Sequence, residues 1–314
     1  MTAVADVKPR LMTQPRLQRL REVLHQMRKE WTAYLFISPG LIMFAIFNLF
    51  AIGYSFYLSF HKWNILEPAK PFVGLDNYTR LIGDERFHQA VGNTAYYTAV
   101  AVPLTMIVGL LVALLLNNEI RGRGIFRTLY YVPVITPLVV SAIIWKWVYQ
   151  GDYGLLNYYL TRLGLIEKPL LFLADPDLAI PAVILMSAWG GTGYYMVVFL
   201  AGLQSIPEVY YDAAKVDGAN WIQRLFHITV PLLAPTTFFL FVTSVIGSFQ
   251  VFVQIYIMTS GGPLHRTTTI GYYLYEKAFR HFDMGYATAM AYALFAMIFV
   301  FTLLQFRLRR DIEY

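Results

Sequence analysis

YYDAAKVDGANWIQRLFHITVP, Tyr210–Pro231, interrupts a strongly apolar stretch of chain with two acids, a lysine, an arginine and a glycine, and ends on a proline. Pro207 just upstream opens a helix and Glu208 stands in its first turn, where an acid favours the positive end of the helix dipole. Val209, Ala213 and Val216 recur at helical spacing as one apolar side, with Asp212 and Lys215 away from it. The helix continues to Asp217, Gly218 supplies a turn, and ANWIQRLFHI forms a second short amphipathic piece before Pro231 begins the next apolar run. A plain connector needs only about 4–6 residues. The spacing therefore predicts a short helix–turn–helix over 204–231, shaped to fit a groove on another protein.

Outward from this segment the chain becomes apolar. Of its 314 residues 57% are hydrophobic and 14% charged, against roughly 25% charged in soluble domains. Six blocks approach the ~20 apolar residues that cross a bilayer as helix: 33–60, 91–116, 126–149, 178–203, 231–257 and 285–306. Pro133 and Pro137 are expected to break or kink the third near its inner end. In the outer loop 61–90, a turn at Phe72–Tyr78 precedes a short amphipathic segment ending near Phe87, and Gly92–Thr94 opens the second span. In the fourth, WGGTGYY (Trp189–Tyr195) permits close backbone approach, and Gly285, Ala287, Ala289 and Ala291 give the sixth a small-residue face for helix packing.

Charge sets the orientation. With the N-terminus inside, segments 1–32, 117–127, 203–230 and 307–314 hold 7, 3, 2 and 3 Lys or Arg, 15 in all. The outer segments 61–90, 150–177 and 258–283 hold 4, 2 and 3, making 9. The excess places both termini in the cytoplasm, and the net charge of +6 reads as topology rather than nucleic-acid binding. Residues 1–32 carry Leu17, Leu20, Leu24 and Met27 at helical spacing among Arg16, Arg19, Arg21, Arg28 and Lys29. They read either as a helix in the anionic membrane interface or as a basic tail, and as too long an arm for a signal peptide.

Chemistry is sparse. Cysteine is absent, which excludes disulfides and thiolate chemistry. No phosphate-binding loop occurs, so if transport costs ATP the hydrolysis belongs to another chain. The six histidines are dispersed without metal-ligand spacing, and no GxSxG motif occurs. Asp and Glu stay out of the spans, which weighs against an ion-coupled secondary transporter. What is polar inside the spans is neutral: Ser187 and Tyr194 on one face about Gly191 in span four, with Ser244, Ser248, Gln250 and Gln254 in span five. Such hydroxyls and amides line a path for a neutral, hydroxyl-rich solute, or else bond to their own helix carbonyls within packed spans.

The spacing Asp212-Ala213-Ala214, three residues, Gly218, nine residues, Ile228-x-Val230-Pro231 resembles the Glu-Ala-Ala loop of binding-protein-dependent ABC importer permeases. GLDNY (Gly74–Tyr78), Asn93–Thr94, VPVITP (Val132–Pro137), AGLQSIP (Ala201–Pro207), TSGGP (Thr259–Pro263) and FDMGYATAM (Phe282–Met290) extend the likeness, in order, to the MalF/LacF/UgpA-type sugar permease family. The resemblance implies an all-α membrane protein with six transmembrane helices in the type I ABC importer (MetI-like) permease fold. Its parts are a permease domain over 33–306, a cytoplasmic coupling helix in 204–231 and a tail over 307–314. By position, Asp212 takes the family's acidic contact with the ATPase. Ala213 and Ala214 pack in the ATPase cleft, Gly218 makes the turn, and Asp217, Ile228 and Pro231 complete the motif. Asp212 and Val230 depart from the family's Glu and Leu. The resemblance also implies a non-catalytic subunit in a bacterial inner membrane. Its partners are a second permease, two ATPase copies that bind Mg-ATP, an extracytoplasmic binding protein, membrane lipid and a sugar. Relatives of this type also import glycerol phosphates and sugar alcohols.

Overall fold

The computed structural model describes residues 29–309, so nearly all of the expected arm and the end of the expected tail lie outside the described residues. The chain forms two compact units, one up to Tyr57 and one from Leu58 onward. Helix α1 (Trp31–Ser59) is apolar throughout, and its middle, Ala45–Phe50, winds as a π-helix.

The second unit is built on helices. Short α2 (Asp76–Gly83) leads into α3 (Glu85–Asn117), followed by α4 (Arg123–Ile135), α5 (Leu138–Val148), α6 (Leu155–Arg162) and α7 (Ala179–Gln204). After these come α8 (Glu208–Val216), α9 (Trp221–Leu232), α10 (Ala234–Phe249), α11 (Val253–Met258), α12 (Ile270–Tyr275) and α13 (Met284–Arg309). Among the described residues β pairing amounts to two isolated bridges, His61 with Phe72 and Asn64 with Asp283. Among the described residues four helices (α1, α3, α7, α13) are each long and apolar enough to cross a membrane, and the bent pairs α4–α5 and α9–α10, each taken as one span, bring the number there to as many as six. Exposed Phe, Leu, Ile and Val side chains along these helices are what a hydrocarbon solvent requires, and a water-facing surface rarely carries such extensive patches.

The boundaries differ from the apolar blocks in three places, each for a local reason. Span two begins at Glu85, before the expected start at Gly92, because Asp84 caps the helix. Its carboxylate accepts from the backbone N–H of Arg86 at 2.9 Å and of Phe87 at 3.2 Å, which satisfies donors that a helix start leaves open. Asn93 and Thr94 are thus inside the helix, and they brace the outer loop. Asn93 donates to the carbonyls of His265 and Thr268, and Thr94 accepts from the N–H of Ile270 at 3.0 Å. Span three breaks midway rather than near its inner end. Pro133 is accommodated within α4, whereas Thr136 and Pro137 adopt extended backbone and α5 leaves at 99°. Span five stops at Phe249, short of 257: Gln250 and Val251 close the helix with N–H bonds three residues back, to Gly247 at 3.1 Å and Ser248 at 3.3 Å, and the Val251 carbonyl accepts from the Thr269 hydroxyl at 2.9 Å.

α3 and α7 form the centre and run parallel: an added Cβ at Gly191 would touch Thr105, and one at Gly109 would meet Tyr195. α4 crosses this pair where Gly193 lies against the Tyr130 carbonyl, a place with no room for a side chain. Of the small residues of α13, Gly285, Ala287 and Ala289 are buried and Ala291 is half-buried.

Candidate functional site

Two regions carry the features singled out in the sequence. The first is a cavity of about 280 Å³ enclosed by α3, α7 and α10. Ser187, Gly191, Tyr194, Ser244 and Ser248 all line it. Gln250 lies outside the group, because α10 ends one residue earlier and its side chain is exposed at the helix terminus. Gln254, on α11, lines the cavity instead.

Tyr97, Thr105, Tyr195 and Thr243 complete the polar lining. Those on α3 had a readable signal: Tyr97, Ala101 and Thr105 repeat every four residues and so form one stripe. No Lys, Arg, His, Asp or Glu lines the cavity.

The polar groups divide by role. Ser187 donates to Val183 O at 2.9 Å, Thr105 to Ala101 O at 2.7 Å, Thr243 to Phe239 O at 2.9 Å, and Ser244 to Leu240 O. A hydroxyl has one proton and two lone pairs, so these oxygens present acceptors once the proton is spent on the helix. Back-bonding within the span and a polar lining are therefore the same arrangement. Tyr195 and Ser244 oxygens stand 2.5 Å apart. Because Ser244 gives its proton to Leu240, Tyr195 is the donor, and this bond joins α7 to α10 across one wall.

The second region is the loop after α7. Pro207 precedes α8 and Glu208 stands in its first turn. Asp212 pairs with Lys215 at 2.8 Å, both largely exposed, a contact of ~0–1 kcal/mol that a partner can readily replace. Val209 and Val216, the expected apolar side, are 67% and 88% exposed, with exposed Ala213 on the same side. The inward side is instead Tyr211 and half-buried Ala214. Tyr211 bonds to Thr229 at 3.0 Å and ties α8 to the base of the next span.

Asp217 ends the helix and is exposed, and Gly218 follows at φ +78°. Asn220 starts α9 with a capping box: its side chain accepts from Gln223 N–H at 2.9 Å, and Gln223 reciprocates at 2.8 Å. A π-helical turn over Leu225–Thr229 then turns the chain toward the membrane, with Ile228 half-buried and Pro231 in the first turn of Val230–Leu232.

A third cluster had no signal in the sequence. Asp84 accepts from the hydroxyls of Tyr273 at 2.7 Å and Tyr286 at 2.6 Å. Around it Arg86 pairs with Glu276 at 3.1 Å and Arg80 with Asp283 at 2.8 Å. Burial pushes the Asp84 carboxyl up, but the bonds from Tyr286, Tyr273, Phe87 and Arg86 outweigh it and hold it below the usual carboxylate range. Burial, reinforced by that carboxylate, raises the Tyr273 phenol. The cluster clamps the starts of α3 and α13 to α12, at the opposite end of α3 and α7 from the 204–231 loop.

Residues 105–314 match the family model for the binding-protein-dependent transport system inner membrane component. The probable ABC transporter permease protein YesP of Bacillus subtilis (strain 168) is 40% identical over 87% of this chain and 89% of its own. The trehalose/maltose transport system permease protein MalF of Thermococcus litoralis is 34% identical, over 90% and 96% respectively. Among solved structures, a chain of a bacterial ABC transporter that imports the acidic polysaccharide alginate superposes with a TM-score of 0.81. It is 25% identical, over 93% of this chain and all of that one.

Proposed function

The chain belongs to the family of binding-protein-dependent transport system inner membrane components, and from that premise we propose that it is the sugar-conducting subunit of an ATP-driven importer. As a member it is a non-catalytic permease of the type I ABC importer class. A binding protein delivers the solute to the outer mouth, and a second permease completes the passage. Two cytoplasmic ATPase copies, holding Mg-ATP, drive it between inward and outward states. The 15-to-9 excess of Lys and Arg supports the 204–231 loop, and both termini, on the cytoplasmic side.

The observation that carries the solute assignment is the lining of the cavity. Ser187, Tyr194, Ser244 and Ser248, with Tyr97, Thr105, Tyr195, Thr243 and Gln254, offer hydroxyl and amide groups and no charge. The acceptors left at Ser187, Thr105 and Thr243 suit the O–H donors of a polyol, and the tyrosine rings suit the apolar face of a sugar. A phosphate or uronate would find no cation and would forfeit its hydration without return. A neutral mono- or oligosaccharide is therefore favoured over glycerol phosphate, and a sugar alcohol remains the second reading on the same chemistry.

At the cytoplasmic end, Asp212, Ala213, Ala214, Asp217 and Gly218 form the contact with the ATPase, with Ile228 and Pro231 anchoring the loop to span five. The loop's exposed apolar side and replaceable ion pair support this reading. The test is the complex reconstituted with its binding protein. Neutral sugar on the binding protein stimulates ATP hydrolysis and uptake, whereas uptake driven by an ion gradient without ATP overturns the assignment.

A further inference from the structure

The inner end of α4 carries a feature that sugar transport does not use. Arg123 and Arg127 stand four residues apart and share one side of the helix. The Nε atoms of both, and Nη2 of Arg127, are buried without a hydrogen-bond partner. Neither guanidinium takes part in an ion pair among the described residues. A buried donor on a charged group is costly to leave unmet, so this surface is short of an acceptor.

Phe126, which lies between the two arginines in sequence, starts the wall of a groove of about 500 Å³ between α3, α4 and α7. Val108, Leu129, Tyr130, Leu185 and Trp189 continue it, so the arginines stand at its inner end on α4 rather than in its lining. Its volume is within the ~300–1,000 Å³ of typical ligand pockets. It opens on the apolar perimeter, where Phe126, Leu129 and Leu185 are exposed. α3 and α7 are parallel and α4 starts where α3 ends, so Arg123 and Arg127 share the membrane face of the 204–231 loop.

We propose that this groove binds an anionic phospholipid of the inner leaflet, its phosphate on Arg123 and Arg127 and one acyl chain along Phe126 and Tyr130 toward Trp189. Basic pockets between transmembrane helices on the cytoplasmic side are suited to anionic headgroups. Tyr130 is level with Gly193. Three residues up α4 and four back along α7 place Trp189 about 10 Å deeper than Arg127 at ~1.5 Å per residue, a mid-chain depth. A polypeptide occupant would need an acid of its own at the arginines, whereas the leaflet supplies anions in excess.

The test uses the assembled complex in phosphatidylcholine vesicles containing a small, fixed fraction of mid-chain-brominated phosphatidylglycerol or of equally brominated phosphatidylcholine. The contribution of Trp189 is the quenching lost in Trp189→Phe. Brominated phosphatidylglycerol is expected to quench Trp189 several-fold more than brominated phosphatidylcholine. Arg123→Gln/Arg127→Gln is expected to remove that excess, and Arg123→Lys/Arg127→Lys to retain part of it. If the double Gln variant does not assemble, Arg127→Gln alone provides the comparison. Equal quenching by the two lipids, an excess that survives charge removal, or no quenching by either because polypeptide covers the groove would each overturn the proposal.

Discussion

Gly218 offers the sharpest test of the coupling loop. It holds φ +78°, yet a Cβ built there meets nothing within 4 Å. The cost of a side chain is therefore in the backbone dihedral alone, about 1–2 kcal/mol for an ordinary L-residue, less for Asn and more for a β-branched residue. The preceding helix α8, Glu208–Val216, is too short to be stable by itself, so little on that side buffers the loop against this penalty. At 1.4 kcal/mol per tenfold, the affinity of the membrane subunit for its ATPase falls by up to about 5- to 30-fold in Gly218→Ala. Gly218→Asn falls less and Gly218→Val more. The assay is a titration of the ATPase against the reconstituted permease pair, with stimulation by loaded binding protein as a second readout. Thermal unfolding of the membrane domain should stay unchanged. A ranking by side-chain volume, with Asn no better than Ala, or wild-type affinity in Gly218→Val, would refute the reasoning.

Four further outcomes are expected. Asp212→Arg should leave stability within ~1 kcal/mol, since it removes only an exposed ion pair, while cutting sugar-stimulated ATPase activity. Tyr195→Phe removes a cavity hydroxyl that a bound sugar would otherwise hydrogen-bond, worth about 0.5–1.5 kcal/mol, and should raise the KM for uptake in proteoliposomes by roughly 2- to 10-fold. Ser248→Asp places a charge in an uncharged cavity and should abolish uptake of neutral sugar without loss of membrane insertion, checked by expression and gel filtration of the complex. The carboxyl of Asp84 is held below its ordinary 3.8, so its contribution to stability is fully present above about pH 5 and is lost as pH falls through the folded value. Thermal melts of the wild type should therefore lose this contribution below about pH 4, and Asp84→Asn should lack that part of the acid sensitivity.

Features written in the periodicity of one segment were legible in the sequence, and features that join distant segments were not. Long apolar blocks announce the spans, and Ser187, Gly191 and Tyr194 share a face because helical angle alone determines it. The apolar run continues past Phe249 while α10 closes there and Thr269 braces Val251 from eighteen residues away, so nothing in the local pattern marks Gln250 as lying beyond the helix. The Asp84 clamp depends on tyrosines 189 and 202 residues away, which no local pattern predicts. The loop's apolar side was legible as a stripe, but its direction was not. The Tyr211–Thr229 bond, with Tyr211 packed against the core, turns that side inward and leaves Val209 and Val216 outward.

The arrangement links the cavity to the loop without a relay of special side chains. α7 carries Gly191 and Tyr195 at the cavity and runs unbroken to Gln204, so the distance to the loop is bridged by helix over some 20 Å at ~1.5 Å per residue. On the return path α9 meets α10 at 63°, and α10 brings Ser244 back to Tyr195. The loop is thus the joint between two packed rods that the Tyr195–Ser244 hydroxyl pair bridges at the cavity. On the proposed coupling, displacement of the loop by an ATPase would alter the angle between the rods and load the hydroxyl bond. Its modest strength suits that position: a sugar hydroxyl can take over either partner at little net cost, so the presence of solute and the separation of α7 from α10 favour one another. Tyr195→Phe should accordingly raise ATP hydrolysis in the absence of sugar as well as weaken uptake. A variant that weakens uptake with unchanged sugar-free hydrolysis would confine Tyr195 to solute binding and remove it from the coupling path.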